Sequence, residues 1–489
     1  MSAITQAAFP LSEVIRRCRQ QQEAWSRLPV RERLHPVAEL RRLLVAERDA
    51  LCDAVGRDLG KPADEALAAD VLPLADACRF LQQEAARLLR PRRVPNRLRP
   101  VWLMGQKDTV HRRPRGLVGI IGTWNYPLFL NGVQIVQALT AGNGVVWKPS
   151  EVAPASADAL FGLLGRAGYP AGLVQQLPAT REAGKDLAEA DVDHVVFTGS
   201  SAVGHALAAT LGRRLVSSTL ELSGVDALFV LDDADPSFAA RAAWFGATIN
   251  RGQTCLAVRR AFVHRSVYAA FLDALQPLLA AARPLQLALS SQGDQAERLV
   301  RDAVAQGARL LGAPPEDGTK GLVPQVVVEA RPEMAVCREA SFAPITAVLP
   351  FDTLEDALRM DAQCPYALGA SVFTANPAAV EAWAARLRAG SVTVNDVVVS
   401  TAHPATPFGG RGESGWGVTQ GAEGLLEMTV PQVVSVRGGR YRPHYELTAN
   451  PGASQGDLVR ALLDYGHGAT LGQRLGGLVR LVRAMWRRR

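Results

Sequence analysis

The sequence predicts an α/β protein with two doubly wound domains, a small β ribbon and a C-terminal helical tail. Its 489 residues exceed what one ordinary core can organise. Short, continuous apolar runs alternate with helical stretches between residues 116 and 198, and again after about residue 222. This alternation is typical of parallel strands covered by helices. A basic segment, 441–489, lies beyond both series.

The elements follow one another in a regular order. Residues 11–90 carry apolar residues at helical spacing, and the prolines of 91–100 then interrupt the helices. Residues 101–113 are predicted to form an extended ribbon. The first series is strand 116–122, helix 128–141, strand 144–148, helix 156–167, strand 174–177, helix 181–189 and strand 194–198. The second series has strands at 227–231, 259–264, 325–328, 347–351, 370–373 and 391–395.

These elements divide the chain into four parts. We expect residues 1–100 and 114–222 to form one α/β domain and residues 223–424 to form the other. Residues 101–113 with 425–440 are expected to make the ribbon, and 441–489 the basic tail.

Composition and charge describe a globular protein that does not bind nucleic acid. Apolar residues make up 48% of the chain and charged residues 21%. The formal net charge is +7, but residues 441–489 hold eight arginines against three acidic residues and account for +5 of it. The body is therefore nearly neutral and lacks the basic surface that nucleic acids attract.

Cysteine usage and hydropathy favour a cytoplasmic location. The six cysteines lack CxxC pairs or regular spacing, which argues against a disulfide framework or a metal site. The N-terminus lacks a charged region followed by an apolar run, so we expect no secretory signal. No uninterrupted apolar stretch reaches the ~18 residues that a transmembrane helix needs.

Cys255 and Glu221 are the residues whose settings indicate chemistry. Cys255 follows Gly252 and Gln253 in a loop just before a predicted strand. The other five cysteines are expected to be buried, as free cysteines usually are. Glu221 lies between two apolar runs, and such a setting raises the pKa of a carboxyl towards that of a general base. A thiol that attacks a carbonyl and a carboxylate that activates water together suit an acyl-enzyme mechanism.

Asn125 is the candidate for stabilising an oxyanion. It lies with Trp124 in Thr-Trp-Asn-Tyr-Pro, in the loop after strand 116–122. The structural alternative is a simple turn asparagine. As a catalytic group its amide would donate to the oxyanion, and losing one such donor typically costs about 3 kcal/mol.

Two further motifs follow predicted strands. Lys-Pro-Ser-Glu, containing Lys148 and Glu151, could be an ordinary surface charge pair. Phe-Thr-Gly-Ser-Ser-Ala-Val-Gly ends at Gly204 and runs from a strand into a helix start, where backbone amides suit phosphate groups. The GxGxxG fingerprint of dinucleotide-binding domains is absent, so glycine spacing alone does not identify a nucleotide site.

Taken together, these motifs resemble the aldehyde dehydrogenase superfamily from about residue 11 to 435. The chain matches the family's Pro-Trp-Asn-x-Pro, Lys-Pro-x-Glu, Phe-Thr-Gly-Ser-x-x-x-Gly and Gly-Gln-x-Cys in family order, with Thr123 for the first proline. Asn-Tyr-Pro and Lys-Pro-Ser-Glu look like the branch that includes class 3 and fatty aldehyde dehydrogenases. The resemblance implies two Rossmann-like domains, one binding the cofactor and one catalytic, and a homodimer or homotetramer paired through the ribbon.

The resemblance implies NAD(P)-dependent oxidation of a small-molecule aldehyde to a carboxylic acid. Cys255 would attack the aldehyde, Asn125 would hold the oxyanion, and Glu221 would activate the water that hydrolyses the thioester. Because an acidic residue binds a free 2′-hydroxyl and repels a 2′-phosphate, Glu151 favours NAD, with NADP as the alternative. The implied cofactor contacts are Trp124, Lys148, Ser150, Glu151, Gly199, Ser200, Gly204 and Phe342.

Further residues depart from the family pattern. Ala340 occupies the position of the glutamate that holds the nicotinamide ribose in Glu-x-Phe-Gly-Pro, and Glu339 stands one residue early. Ser223 and Val225 replace the usual glycine and lysine after Glu221. A second hypothesis is therefore a catalytically weak binding or scaffold protein with the same fold. A third is a thiol hydrolase without a cofactor.

The tail contains a candidate amphipathic helix. Apolar residues lie at helical spacing with arginines among them, namely Leu475, Leu478, Val479 and Val482 with Arg474, Arg480 and Arg483. Such a helix could lie on an anionic membrane surface, giving peripheral contact. The alternative is a helix docked on its own body or on a partner subunit.

Overall fold

A computed structural model of the chain describes residues 10–312, 321–439 and 453–486. The chain forms two compact units. One contains Met1–Leu89 and Arg113–Val430, and the other contains Arg90–Arg112 and Pro431–Arg489. The finer domain boundaries predicted above stay a prediction.

The described helices include those predicted at 128–141, 156–167 and 181–189, each within two residues of its predicted bounds. They are α1 (Leu11–Arg27), α2 (Val30–Arg33), α3 (His35–Ala46), α4 (Arg48–Leu59), α5 (Ala63–Ala66), α6 (Leu72–Leu88), α7 (Phe129–Ala141), α8 (Pro154–Arg166), α9 (Arg181–Glu189), α10 (Ser201–Arg213), α11 (Pro236–Thr248), α12 (Arg265–Ala280), α13 (Ser290–Ala305), α14 (Leu354–Asp361), α15 (Pro377–Ala384), α16 (Gly421–Glu427), α17 (Ala453–His467) and α18 (Leu471–Trp486).

The described strands are mostly short. They are β1 (Arg92–Arg93), β2 (Gln106–Pro114), β3 (Leu117–Ile121), β4 (Gly144–Lys148), β5 (Val174–Gln176), β6 (His194–Thr198), β7 (Ser217–Glu221), β8 (Asp226–Val230), β9 (Val258–His264), β10 (Arg309–Leu310), β11 (Gln325–Val328), β12 (Ile345–Phe351), β13 (Tyr366–Ala367), β14 (Gly369–Phe373), β15 (Ser391–Val394), β16 (Arg411–Gly412), β17 (Gly415–Trp416) and β18 (Thr429–Arg437).

The first large sheet has the strand order β17-β7-β6-β3-β4-β5. Its strands are parallel except β17, which runs antiparallel to β7. β3 and β4 are buried along their whole length, which is why both read as continuous apolar runs. The chain steps from β3 out to β5 and then returns to the other side of β3 with β6. This reversal creates a crevice at the carboxyl ends of the strands, where such sheets bind ligands.

The second large sheet has the order β10-β11-β12-β9-β8-β14-β15, with β10 antiparallel. A buried aromatic cluster packs on it. Phe229 and Phe262 stack with ring centroids 5.0 Å apart, and Trp383 contacts Phe229 edge-on at 5.2 Å. The two parallel sheets confirm the predicted α/β class with two doubly wound domains.

The second unit contains the ribbon and the two C-terminal helices. The ribbon has the order β1-β2-β18. Residues 101–103, predicted as extended, form a 3-10 turn instead, because Pro100 starts a short helix before the ribbon strand begins at Gln106. Valines of β18 are exposed, namely Val430, Val433, Val434 and Val436.

Among the described residues, no helix is long and apolar enough to cross a membrane.

Candidate active site

The loop before β9 presents Cys255 through a strained backbone. Asn250, Arg251 and Gly252 have successive positive φ angles of 48°, 58° and 76°. Two of the three are not glycine, so the loop is costly and must be held by its surroundings. A turn closed by the Ala257 N–H on the Thr254 carbonyl at 3.1 Å then carries the cysteine.

Cys255 differs from the other cysteines in its exposure. All six are free thiols; Cys255 is partly exposed, whereas the other five are buried. Desolvation, with smaller contributions from the nearby carboxyls of Asp226 and Glu221, raises the pKa of Cys255 to about 12. The thiol is therefore protonated at neutral pH and needs a base during attack.

The side chain of Asn125 points its amide at this loop. The Nδ2 donates to the Gln253 carbonyl at 3.2 Å, while Thr123 Oγ1 donates to Oδ1 at 3.0 Å. The backbone carbonyl of Asn125 accepts hydrogen bonds from Asn250 Nδ2 and Lys61 Nζ, both at 3.0 Å. These contacts fix which end of the amide faces the cysteine loop.

A buried ion pair supports Asn125, and the sequence analysis missed it. Lys61 Nζ lies 2.8 Å from Asp70 Oδ2, and both side chains are 0% exposed. Asp70 Oδ1 also accepts the backbone N–H groups of Leu128 at 3.2 Å and Phe129 at 3.4 Å. Because a buried charge is costly without its partner, this pair ties the segment after α4 and the segment before α6 to the Asn125 loop.

Glu221 is the last residue of β7 and is 2% exposed. Thr419 Oγ1 donates to Oε1, and Thr198 Oγ1 donates to Oε2 at 3.3 Å. Gln134 Nε2 donates in turn to Thr198 Oγ1 at 2.8 Å. Burial raises the pKa of Glu221 to about 7, against the hydrogen bonds, which lower it. A carboxyl with this pKa is poised to exchange a proton at neutral pH.

The three predicted catalytic residues meet in one cavity. Asn125, Glu221 and Cys255 all line it. Its remaining wall is largely apolar, with Leu130, Leu222, Phe342 and Phe408. None of the described residues that line it is a lysine or an arginine. This cavity combines a thiol, an amide donor and a weak-acid carboxyl, which is the set that acyl transfer to water requires.

Lys148 and Glu151 stand at the carboxyl end of β4. Lys148 Nζ lies 3.1 Å from Glu151 Oε2, and Arg181 Nε donates to Oε1 at 3.0 Å. Burial alone would raise the pKa of Glu151, but its own backbone N–H, Arg181 and Lys148 lower it to about 2. Ser150 Oγ accepts the Val152 N–H at 3.3 Å and so shapes the turn. Arg181 was not predicted, because it lies 30 residues further along.

The turn between β6 and α10 contains Gly199 and Ser200. Ser200 caps α10, with its side chain accepting the Val203 N–H, and the first amides of the helix are therefore oriented for an anion. Gly204 also has a packing reason to be glycine, because a Cβ there would lie 2.6 Å from Leu222 Cδ2. Its role in the structure is to let α10 approach the segment after β7.

The residues that the resemblance assigns to the nicotinamide side match the family pattern less completely. Trp124 and Phe342 lie with ring centroids 6.0 Å apart. Ala340 offers only its carbonyl, which accepts from Gln295 Nε2 at 3.1 Å. Glu339 pairs with Arg298 of α13 at 2.5 Å. The residues therefore suit an adenosine ribose and a pyrophosphate, but this segment supplies no carboxylate at the motif position for the second ribose.

Comparison with known proteins identifies relatives across almost the whole chain. The model of the aldehyde dehydrogenase family matches residues 5–434. A 4,4'-diapolycopene aldehyde oxidase of a Methylomonas species is 34% identical over 83% of this chain and 78% of its own. A Mycobacterium ulcerans protein that carries the name of an NADP(+) succinate-semialdehyde dehydrogenase is 32% identical over 85% and 82%. The NAD+ complex of a Bacillus cereus aldehyde dehydrogenase superposes with a TM-score of 0.81 at 28% identity, over 87% of this chain and 88% of that one.

Proposed function

The chain belongs to the aldehyde dehydrogenase family, and we propose that Cys255, Glu221 and Asn125 carry out its reaction. It is an NAD(P)-dependent oxidoreductase that converts an aldehyde to a carboxylic acid. The observation that supports these three roles is their convergence on one cavity, although they lie on different elements far apart in the sequence.

The proposed chemistry begins with the thiol. Cys255 Sγ loses its proton to solvent water and bonds to the aldehyde carbon, whose carbon–oxygen double bond opens to a single bond. Asn125 Nδ2 and the Cys255 backbone N–H donate to the oxygen that becomes negatively charged. A bound nicotinamide cofactor would supply the acceptor for the hydride that leaves the sulfur-bearing carbon, and loss of that hydride turns the oxyanion back into a carbonyl and leaves a thioester on Cys255. Glu221 then takes a proton from water, the hydroxyl bonds to the acyl carbon, and the carbon–sulfur bond breaks to release the acid.

We propose that the crevice at the carboxyl ends of β3, β4 and β6 holds the cofactor. Lys148 and Glu151 would bind the adenosine ribose hydroxyls, and the start of α10 would bind the pyrophosphate. These roles are supported by the paired charges at the end of β4 and by the oriented amides after Ser200. Trp124 and Phe342 would flank the nicotinamide side.

We propose an uncharged, apolar aldehyde as the substrate. The cavity wall is largely apolar and, in the part of the chain that the structure describes, has no cation to meet a substrate carboxylate. The name of the Methylomonas relative refers to an apolar aldehyde as well. A semialdehyde that carries a carboxylate would lose its hydration in this cavity without a partner, which is costly.

Oligomerisation and membrane contact belong to the same proposal. The exposed valines of β18 suit a ribbon that pairs with another subunit as a homodimer or homotetramer. The cofactor domain would comprise residues 1–100 and 114–222, and the catalytic domain residues 223–424. The ribbon would comprise residues 101–113 and 425–440. The basic segment 441–489 would give peripheral membrane contact.

The test is reduced-cofactor formation with a panel of aldehydes, comparing the wild type with Cys255→Ala. Cys52→Ala, at a buried cysteine of α4, is the matched control. We expect Cys255→Ala to abolish turnover, Cys52→Ala to retain it, and aliphatic or aromatic aldehydes to exceed succinic semialdehyde in kcat/KM. Full activity of Cys255→Ala would refute the proposed nucleophile. A preference for succinic semialdehyde would refute the proposed substrate class. Absence of turnover in the wild type would favour the scaffold hypothesis.

A further inference from the structure

The two C-terminal helices form an antiparallel pair beyond the part of the chain that the family model matches. α17 and α18 are joined at Gly468 and pack through Ala461, which is 0% exposed, and Gly477. A Cβ at Gly477 would lie 2.4 Å from the Tyr465 backbone nitrogen, so glycine allows the helices to touch. The family match ends at residue 434. The helix pair therefore lies outside the part of the chain that matches the family.

One face of α18 is apolar and exposed. Its residues recur at i, i+4, i+7, i+8 and i+11, which places them within a stripe about 100° wide. They are exposed by 38% to 79%: Leu471, Leu475, Leu478, Val479 and Val482. Leu481, by contrast, is 6% exposed. We call the five exposed residues the apolar stripe.

Positive charge borders the apolar stripe on both sides. At about 100° per residue, Arg474 falls at one edge and Arg483 at the other. Arg480 lies further round the helix and pairs with Asp464 of α17. From Leu471 to Arg489 the sequence contains six arginines and no acidic residue. An apolar face between two basic edges matches the interface of an anionic bilayer, where arginines reach phosphates while the apolar face enters the acyl region.

The same charge pattern argues against a second copy of the chain covering the apolar stripe. In a two-fold contact the same face meets itself, so the arginine edges of both copies would approach each other. α18 contributes no carboxylate to neutralise them, and like charges held close at an interface are unfavourable. Spanning the membrane is excluded for α18, because its 16 residues are too few and are interrupted by arginines.

We propose that α18 binds the surface of anionic phospholipid bilayers, with the apolar stripe in the interface and Arg474 and Arg483 at the headgroups. This inference deepens the membrane contact proposed above and does not depend on the catalytic roles. Each arginine near an anionic surface contributes about five-fold in affinity. Binding should therefore need both anionic lipid and the apolar stripe.

The test is flotation of the full chain with vesicles of phosphatidylcholine, with and without phosphatidylglycerol, at low and high salt. We expect binding only to phosphatidylglycerol-containing vesicles, weakened at high salt. Leu475→Ser with Val479→Ser should reduce binding at least ten-fold, and Arg483→Gln about five-fold. The matched control is Val45→Ser with Leu72→Ser, two equally exposed apolar residues of α3 and α6, which should bind as the wild type does.

Further measurements distinguish a loss of lipid binding from unfolding, a failed active site or a change of oligomer. Circular dichroism and oxidation of a water-soluble aldehyde should be unchanged in the stripe variant, so that a loss of flotation cannot come from unfolding or from a failed active site. Light scattering should show the same oligomer for the stripe variant and the wild type. Absence of flotation, equal flotation by stripe and control variants, or a smaller oligomer in the stripe variant without lipid binding would each overturn the proposal.

Discussion

Replacing Glu221 by glutamine should separate hydride transfer from thioester hydrolysis. Glu221→Gln keeps the size of the side chain and an oxygen that can accept from Thr419 Oγ1, so the cavity should retain its shape. The substitution removes the carboxylate, which is the form of Glu221 that can take a proton from water. The variant should therefore acylate Cys255 and then stall.

The magnitude follows from the burial of the carboxyl. Raising the pKa of Glu221 from 4.5 to about 7 corresponds to about 3 kcal/mol of extra cost for the charged form. About half of the wild-type enzyme would carry the ionised base at pH 7, and about a tenth at pH 6. General-base catalysis typically contributes about 10²- to 10⁴-fold. We expect steady-state turnover of the variant to fall by that range.

The assay is stopped-flow measurement of reduced cofactor. The variant should give a burst of about one equivalent per active site followed by slow turnover, as expected when hydrolysis of a covalent intermediate limits the rate. Wild-type turnover should rise about ten-fold per pH unit below pH 7 and level above it, whereas the variant's should lack this rise. Glu381→Gln, at an exposed glutamate of α15, is the control and should behave as the wild type.

Two results would refute this reasoning. Wild-type-like steady-state turnover in Glu221→Gln would show that another group activates water. A variant without a burst would show that Glu221 acts before or during hydride transfer, for example only as the base for the Cys255 thiol.

Three other predictions follow from the same geometry. The pKa of Glu221 is higher in the folded state than in the unfolded state. The wild type should therefore lose about 3 kcal/mol of unfolding free energy, relative to Glu221→Gln, as the pH rises from 4.5 through 7. Urea unfolding at several pH values measures this trend, and its absence would contradict the prediction. Lys61→Met should lower the free energy of unfolding by about 3 to 5 kcal/mol, because it leaves Asp70 charged and buried without its partner. Adding Asp70→Leu should recover part of that loss, also measured by urea unfolding. Glu151→Gln should raise the ratio of kcat/KM with NADP to kcat/KM with NAD about ten-fold, because it removes the repulsion of a 2′-phosphate. Arg181→Gln should lower the same ratio. Initial rates that leave the ratio unchanged in both variants would argue against this adenosine site.

The parts of the fold that could be predicted are those written locally in the chain. β3, β4 and β6 read as short apolar runs because they are buried, and α9 falls on the predicted residues 181–189. β7 was not predicted as a strand, because Ser-Ser-Thr-Leu-Glu has little apolar character. It pairs in parallel with β6, from His194 opposite Ser217 to Thr198 opposite Glu221, and a local hydropathy pattern does not show such pairing.

The sequence by itself determined the family, the α/β class and the residue types of the candidate site, because those are carried by contiguous motifs around Cys255, Glu221 and Asn125. The tertiary structure alone decided how these groups are tuned. Thr419 reaches Glu221 across 198 residues, and Lys61 reaches Asn125 across 64. Proton affinity and side-chain orientation depend on desolvation and on hydrogen-bond partners, and folding brings those partners together from positions that no local pattern connects.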